Sequence, residues 1–224
     1  MKRTPLAQRI LPNYTRGEEI CNMVTHIIGG VLGIVALVLC PVVGAMHHDP
    51  WAVVSGTIYA FSMLTLYAVS SVYHGLSPAL LGKKVLQVID HCTIYFLIAG
   101  SYMPVTLCTI RRVSPVWGWV LFGVVWAVSA VAITLTAIDL KKFARFSMIC
   151  YIVLGWCIIL RIDLVYSQMG PQGFALMLSG GLAYTVGAVL YALGKKKRYM
   201  HSAFHVFVVI GSLLQFLGIL LYVL

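Results

Sequence analysis

Charge is what this chain has least of. Charged residues make up 10% of its 224 positions, and Asp and Glu together number six. An ordinary soluble domain carries roughly 25% charged residues, so a surface facing water on all sides is excluded. Also missing are the glycine-rich phosphate loop, the nucleophile elbow and the HExxH pair. Their absence removes nucleotide-driven, serine-hydrolase and zincin chemistries. The six cysteines form no CxxC pair; they lie mostly inside apolar runs and read as small packing residues rather than a disulfide frame. Strict apolar and polar alternation is absent too, which disfavours a membrane-spanning barrel.

What fills the chain is hydrophobic sequence: 61% of residues, with a mean hydropathy of +0.95. In lipid every backbone amide must be paired within a helix or a closed barrel, and a helical crossing takes roughly 20 apolar residues. Apolar runs at about 23–45, 52–73, 86–108, 116–137, 147–166, 173–193 and 201–223 therefore predict an all-α integral membrane protein, a seven-transmembrane helix bundle in one domain. Residues 1–22 are expected to be a cytoplasmic or interfacial lead-in with little fixed structure. The first run is too long for a signal-peptide core and ends without a small-residue cleavage pattern, so it is expected to stay as a helix.

The formal charge of +10 does not point to nucleic acid, because its distribution has a simpler cause. If the N-terminus is taken as one side and the spans alternate, 13 Lys and Arg fall on that side and three, Arg111, Arg112 and Arg161, on the other. The positive-inside rule then sets the N-terminus in the cytoplasm and the C-terminus outside. That is opposite to a G-protein-coupled receptor. Gly29 with Gly33, and Gly180, Gly181 and Gly187, are expected to let helices approach closely within the monomer.

Ionisable groups at membrane depth cost at least about 2.5–3.5 kcal/mol each, which makes them functional candidates. His74 ends the second run, Asp90 and His91 open the third, and His201 and His205 open the seventh. Alternation of the spans brings all five to the cytoplasmic level. His201 and His205 are four residues apart on one helical face, the spacing at which two imidazoles reach one metal, and His74 offers a third nitrogen. Three imidazoles with an open fourth position suit zinc and an activated water. Asp90 reads either as a partner of the helix dipole or as the group that holds that water and accepts its proton; its company favours the second. Ser70, one turn before His74, either bonds its own helix carbonyl or places a ligand. His91 points about 100° from Asp90 and is expected in an interhelical hydrogen bond. His26 is expected to pair with Asn22, and Glu18 and Glu19 to complement the dipole of the first helix, with a role at the mouth of the site as the second reading. His47 and His48, with Asp49, belong to an outer loop.

The segments EEICNMVTHIIGG, SSVYHGLS, DHCTIYFLIAGSYMP and HSAFHVFVV, in this order and spacing, resemble the bacterial hemolysin III proteins. These sit within the progestin and adiponectin receptor family and a wider ceramidase-like superfamily. The likeness runs from about Arg16 to Leu224. It implies zinc on His74, His201 and His205, with Asp90 and Ser70 beside them, in a bacterial inner membrane. It further implies hydrolysis of a lipid amide or ester, with a membrane lipid as substrate or ligand. The chain lacks the long N-terminal region of the animal receptors, which argues against a receptor role. A second reading is a non-catalytic protein in which zinc staples helices together, sensing or modulating lipid state and membrane energetics, with cytolytic activity implied by the family name. In that reading Asp90 is the fourth ligand.

Overall fold

The computed structural model describes residues 4–194 and 197–224. Thr15 starts α1 (Arg16–Met46): its hydroxyl accepts from the Glu18 amide while the Glu18 carboxylate accepts from the Thr15 amide, a reciprocal capping box. Asp49 caps α2 (Pro50–Gly75) by accepting from the Trp51 amide at 2.9 Å, with Pro50 in the first turn where its missing N–H costs nothing. α3 (Leu81–Pro104) runs on through a buried π-helical turn, Val105–Ile110, to Val113. α4 (Pro115–Ile138) follows, then α5 (Ala144–Trp156), a 3-10 stretch (Cys157–Arg161), α6 (Ile162–Gly194) and α7 (Met200–Tyr222).

Among the described residues there is no strand, and six helical segments are long and apolar enough to cross a membrane: Arg16–Met46, Pro50–Gly75, Leu81–Val113, Pro115–Ile138, Ala144–Gly194 and Met200–Tyr222. The fifth, of 51 residues, covers the two runs expected at 147–166 and 173–193. The loop expected between them shrinks to one residue, Gly170, whose φ of 66° breaks the helix directly before Pro171. Glycine alone takes that conformation without penalty, and proline's fixed φ suits the start of the next helical stretch.

α2 lies between α1 and α3, and α7 between α1 and α6, while α4 packs on α3. Buried side chains such as Tyr59, Met63, Tyr67, Ile110, Phe216 and Ile219 form the interior. Large apolar side chains also stand exposed on the outside, among them Val31, Val54, Val131, Ile149, Val189 and Leu221. A surface this apolar is suited to lipid. Arg112 is paired with Asp49, Arg111 lies 4.3 Å from the Trp51 ring, and Arg161 pairs with Asp163 at 3.0 Å and lies 5.2 Å from the Trp117 ring. The three cations at this end thus have carboxylate or aromatic partners.

Small residues pack the monomer, as expected. A Cβ at Gly29 would sit 2.3 Å from the ring of Tyr67, and one at Gly33 2.9 Å from the backbone of Leu64, so both glycines let α1 approach α2. The Tyr67 ring cannot swing aside freely, because it is fully buried and its hydroxyl donates to Ser212 at 2.7 Å. Gly29→Ala is therefore expected to destabilise the protein by about 1–3 kcal/mol, the usual cost of overpacking. Thermal unfolding in detergent measures this, and an unchanged midpoint would contradict the packing argument.

From Thr4 onward the lead-in to α1 is tied to the bundle. Thr4 donates to Asp139 through its amide and its hydroxyl, at 3.2 and 2.7 Å, and Arg9 Nη2 donates to the Ile138 carbonyl at 3.0 Å. The Thr4 hydroxyl, followed by the Lys142 amide, holds the Asp139 carboxyl down at about 2. This segment therefore crosses from the end of α4 to the start of α1.

Candidate metal centre

Three helix ends meet beside the N-terminal segment. His74 comes from the last turn of α2, His201 and His205 from the first two turns of α7, and α1 supplies Glu19, Asn22 and His26. One ligand atom from each of His74, His201 and His205 lies within 4.8 Å of the others. His205 Nε2 is 3.1 Å from His201 Nε2. Two nitrogens bound at 2.0–2.1 Å to one tetrahedral ion are about 3.3 Å apart, so the pair already has nearly the required separation.

Hydrogen bonding fixes which nitrogens face each other. His205 Nδ1 lies 3.3 Å from the carbonyl of Asn22 and His74 Nδ1 lies 2.6 Å from a carboxylate oxygen of Glu19. Carbonyl and carboxylate oxygens can only accept, so each Nδ1 carries a hydrogen, and in the neutral form of either ring the lone pair is at Nε2. His74 Nε2 is buried and has no hydrogen-bond partner among the described residues. A buried acceptor without a partner is costly, and beside two other imidazoles a cation satisfies it. The three residues therefore fit a metal ion.

Ser70 Oγ is buried and also has no partner among the described residues. The bond from Ser70 to its own helix carbonyl is thus not made, whereas the next residue, Ser71, makes one to Tyr67 at 2.7 Å. Asp90 sits in the third turn of α3, because that helix begins at Leu81 rather than near residue 86. The helix-dipole reading of Asp90 falls with that earlier start, since the effect is confined to the first turn. Among the described residues Asp90 does not belong to the group that can share one ion. It lies near enough to Tyr14, Tyr73 and Tyr191 to act on them electrostatically. Those rings surround the histidines: Tyr14 stacks on His201 at 4.9 Å, Tyr73 is 4.6 Å from His74, and Tyr191 is 5.6 Å from His201.

Two expectations change. Asn22 does not pair with His26: its Oδ1 accepts from Ser202 at 2.6 Å and its Nδ2 lies 3.4 Å from His74 Nδ1. His26 instead stacks on His205, ring centroids 3.7 Å apart, with both nitrogens buried and unpartnered among the described residues. Glu19 leaves the helix dipole to Glu18 and binds His74. His91, as expected, reaches another helix: its Nε2 lies 3.4 Å from the Tyr191 hydroxyl, while Nδ1 donates to Gln87 at 2.8 Å. His47 lies at the other end of the bundle, 2.5 Å from the Leu224 oxygen.

A cleft of about 410 Å3, lined by Tyr14, Arg16, Glu19, Ile20, Met23 and Lys83 among others, reaches His74 between α1 and the α2–α3 connection. A narrower apolar cavity of about 70 Å3 beside Tyr102, Trp156 and Phe174 holds none of the histidines. The wider cleft is the one that serves the site.

Fold and site together define a multi-pass helical membrane protein with a buried imidazole cluster at one end. The family model described as Haemolysin-III related matches residues 14–216, and the chain belongs to that family. It is 38% identical to "Hemolysin-3" of Bacillus cereus over 207 residues, covering 92% of each chain. It is 36% identical to "Hemolysin-3 homolog" of Bacillus subtilis, over 93% of this chain and 96% of that one. The human "Monocyte to macrophage differentiation factor" is 25% identical, over 97% of this chain and 88% of its own length.

Proposed function

We propose that this protein is a zinc-dependent hydrolase of a lipid amide or ester, with seven crossings of a bacterial inner membrane, the N-terminus in the cytoplasm and the C-terminus outside. The observation that carries the reading is the trio of buried His74, half-buried His201 and buried His205, with His74 Nε2 left unpartnered among the described residues. Seven crossings follow because 51 residues of helix rise about 76 Å, more than twice a hydrocarbon core of about 30 Å, and Gly170 divides them. The orientation rests on the Lys and Arg bias, with Arg111, Arg112 and Arg161 held locally by their partners.

His74, His201 and His205 would hold the zinc, which would supply a Lewis acid able to lower the pKa of a water to about 7 and to polarise a carbonyl. Asp90 takes the proton of the attacking water and delivers it to the departing amine or alcohol. Ser70 donates its hydroxyl hydrogen to the substrate carbonyl. An acyl C–N or C–O bond breaks, a C–OH bond forms, and the proton leaves with the amine or alcohol. The cleft suits a lipid in setting Arg16 beside apolar Ile20 and Met23. Three imidazoles without Asp90 in the group support catalysis over a zinc staple, since structural zinc takes four protein ligands.

Metal analysis of the detergent-purified protein, together with fatty-acid release from a panel of ceramides, acyl esters and phospholipids, tests this. About one zinc per chain and release from at least one lipid class are expected. Absence of metal sinks the reading, and metal without any turnover leaves the non-catalytic alternative.

A further inference from the structure

Glu19 has a second job available besides helix capping, and Glu18 has already taken the capping. Glu19 Oε2 lies 2.6 Å from His74 Nδ1, and Oε1 accepts from Lys83 Nζ at 2.6 Å. Lys83 is 1% exposed and also donates to the Leu76 carbonyl, at 2.8 Å, at the end of the helix that carries His74. A lysine and a glutamate placed at this depth are costly unless paired. Here the pairing runs from α3 through α1 to the imidazole of α2. Asn22 Nδ2 is 3.4 Å from the same His74 nitrogen; both would be donors, so the shorter contact to the carboxylate is the hydrogen bond.

We infer that Glu19 is a positioning residue for the metal centre and Lys83 its counter-ion. Bonded to Glu19, the His74 ring is fixed in rotation and in tautomer, so that Nε2 turns to His201 and His205. The carboxylate behind the ring makes that nitrogen a stronger donor to a cation, and Lys83, bonded to the other carboxylate oxygen, holds the carboxylate in place. The Asn22 carbonyl does the same for His205 without charge. The helix that contributes no ligand thus orients two ligands borne by its neighbours. Metal-binding imidazoles whose second nitrogen meets a carboxylate commonly lose 10- to 100-fold in metal affinity when that partner is removed.

This inference rests on the metal reading, and the test separates the two. Zinc is titrated against a chromophoric chelator with the full-length protein in detergent, for wild type, Glu19→Gln, Glu19→Leu and Lys83→Met, with thermal unfolding of each metal-free protein alongside. Glu19→Gln keeps an oxygen that accepts from Nδ1 but loses the charge, and about a tenfold loss of zinc affinity is expected; Glu19→Leu loses both, for about 100-fold. Lys83→Met is expected to fall between wild type and Glu19→Leu. A purely structural role would lower the metal-free unfolding temperature and leave zinc affinity alone. Wild-type affinity in Glu19→Gln overturns the inference, and that isosteric variant decides the matter even if Glu19→Leu does not fold. Failure of wild type itself to take zinc overturns the metal reading and this inference with it.

Discussion

His205→Ala is expected to leave the purified protein without bound zinc and to end release of fatty acid from lipid. His205 is 2% exposed, and its Nε2 stands 3.1 Å from His201 Nε2, so no other side chain takes its place in the trio. His26, stacked on the opposite face of its ring, already lies outside the group that can share one ion. Two imidazoles from α2 and α7 then remain, whereas a catalytic zinc site takes three protein ligands. The loss in affinity should exceed the roughly 100-fold that follows when only a partner of a ligand is removed. Metal content by mass spectrometry checks this, with His47→Ala as the control because His47 lies at the other end of the bundle beside Leu224. Zinc retained in His205→Ala would remove the trio from the mechanism.

Much of this arrangement is legible in the residues before any fold is drawn, and the reasons differ by element. His201 and His205 show themselves because a spacing of four is a helical face, and His74 joins them because alternate spans reverse direction. The helix boundaries are less legible. Lys83 and Lys84 in SPALLGKK read as a connecting loop because two cations are costly in lipid; in the structure α3 begins at Leu81, and Lys83 is paid for by Glu19. That pairing joins residues 64 apart, which no local pattern reveals. The same holds for Glu19 itself, since two adjacent acids before a hydrophobic run look alike, and only the α1–α2 contact distinguishes them. SQMGPQG reads as a loop because glycine and proline punctuate it, yet one glycine with positive φ suffices for the break. Ser70 reads two ways in sequence; in the structure its hydroxyl makes no bond to its own helix.

Asp90→Asn is the variant that separates chemistry from assembly. Because Asp90 lies outside the metal-sharing group, the variant is expected to keep wild-type zinc content while fatty-acid release falls by about 10²- to 10⁴-fold, the range supplied by a positioned proton acceptor. The amide fills the same space and still hydrogen-bonds, but it cannot take a proton from water. The Asp90 side chain is 15% exposed, with Oδ2 3.7 Å from His91 Nδ1. The outcome has three branches that mean different things. Loss of release with zinc retained assigns Asp90 to the reaction. Loss of zinc with it makes Asp90 a ligand and revives the zinc staple. Undiminished release shows that another group takes the proton, and His26, whose two nitrogens are buried without partners among the described residues, is the next one to substitute.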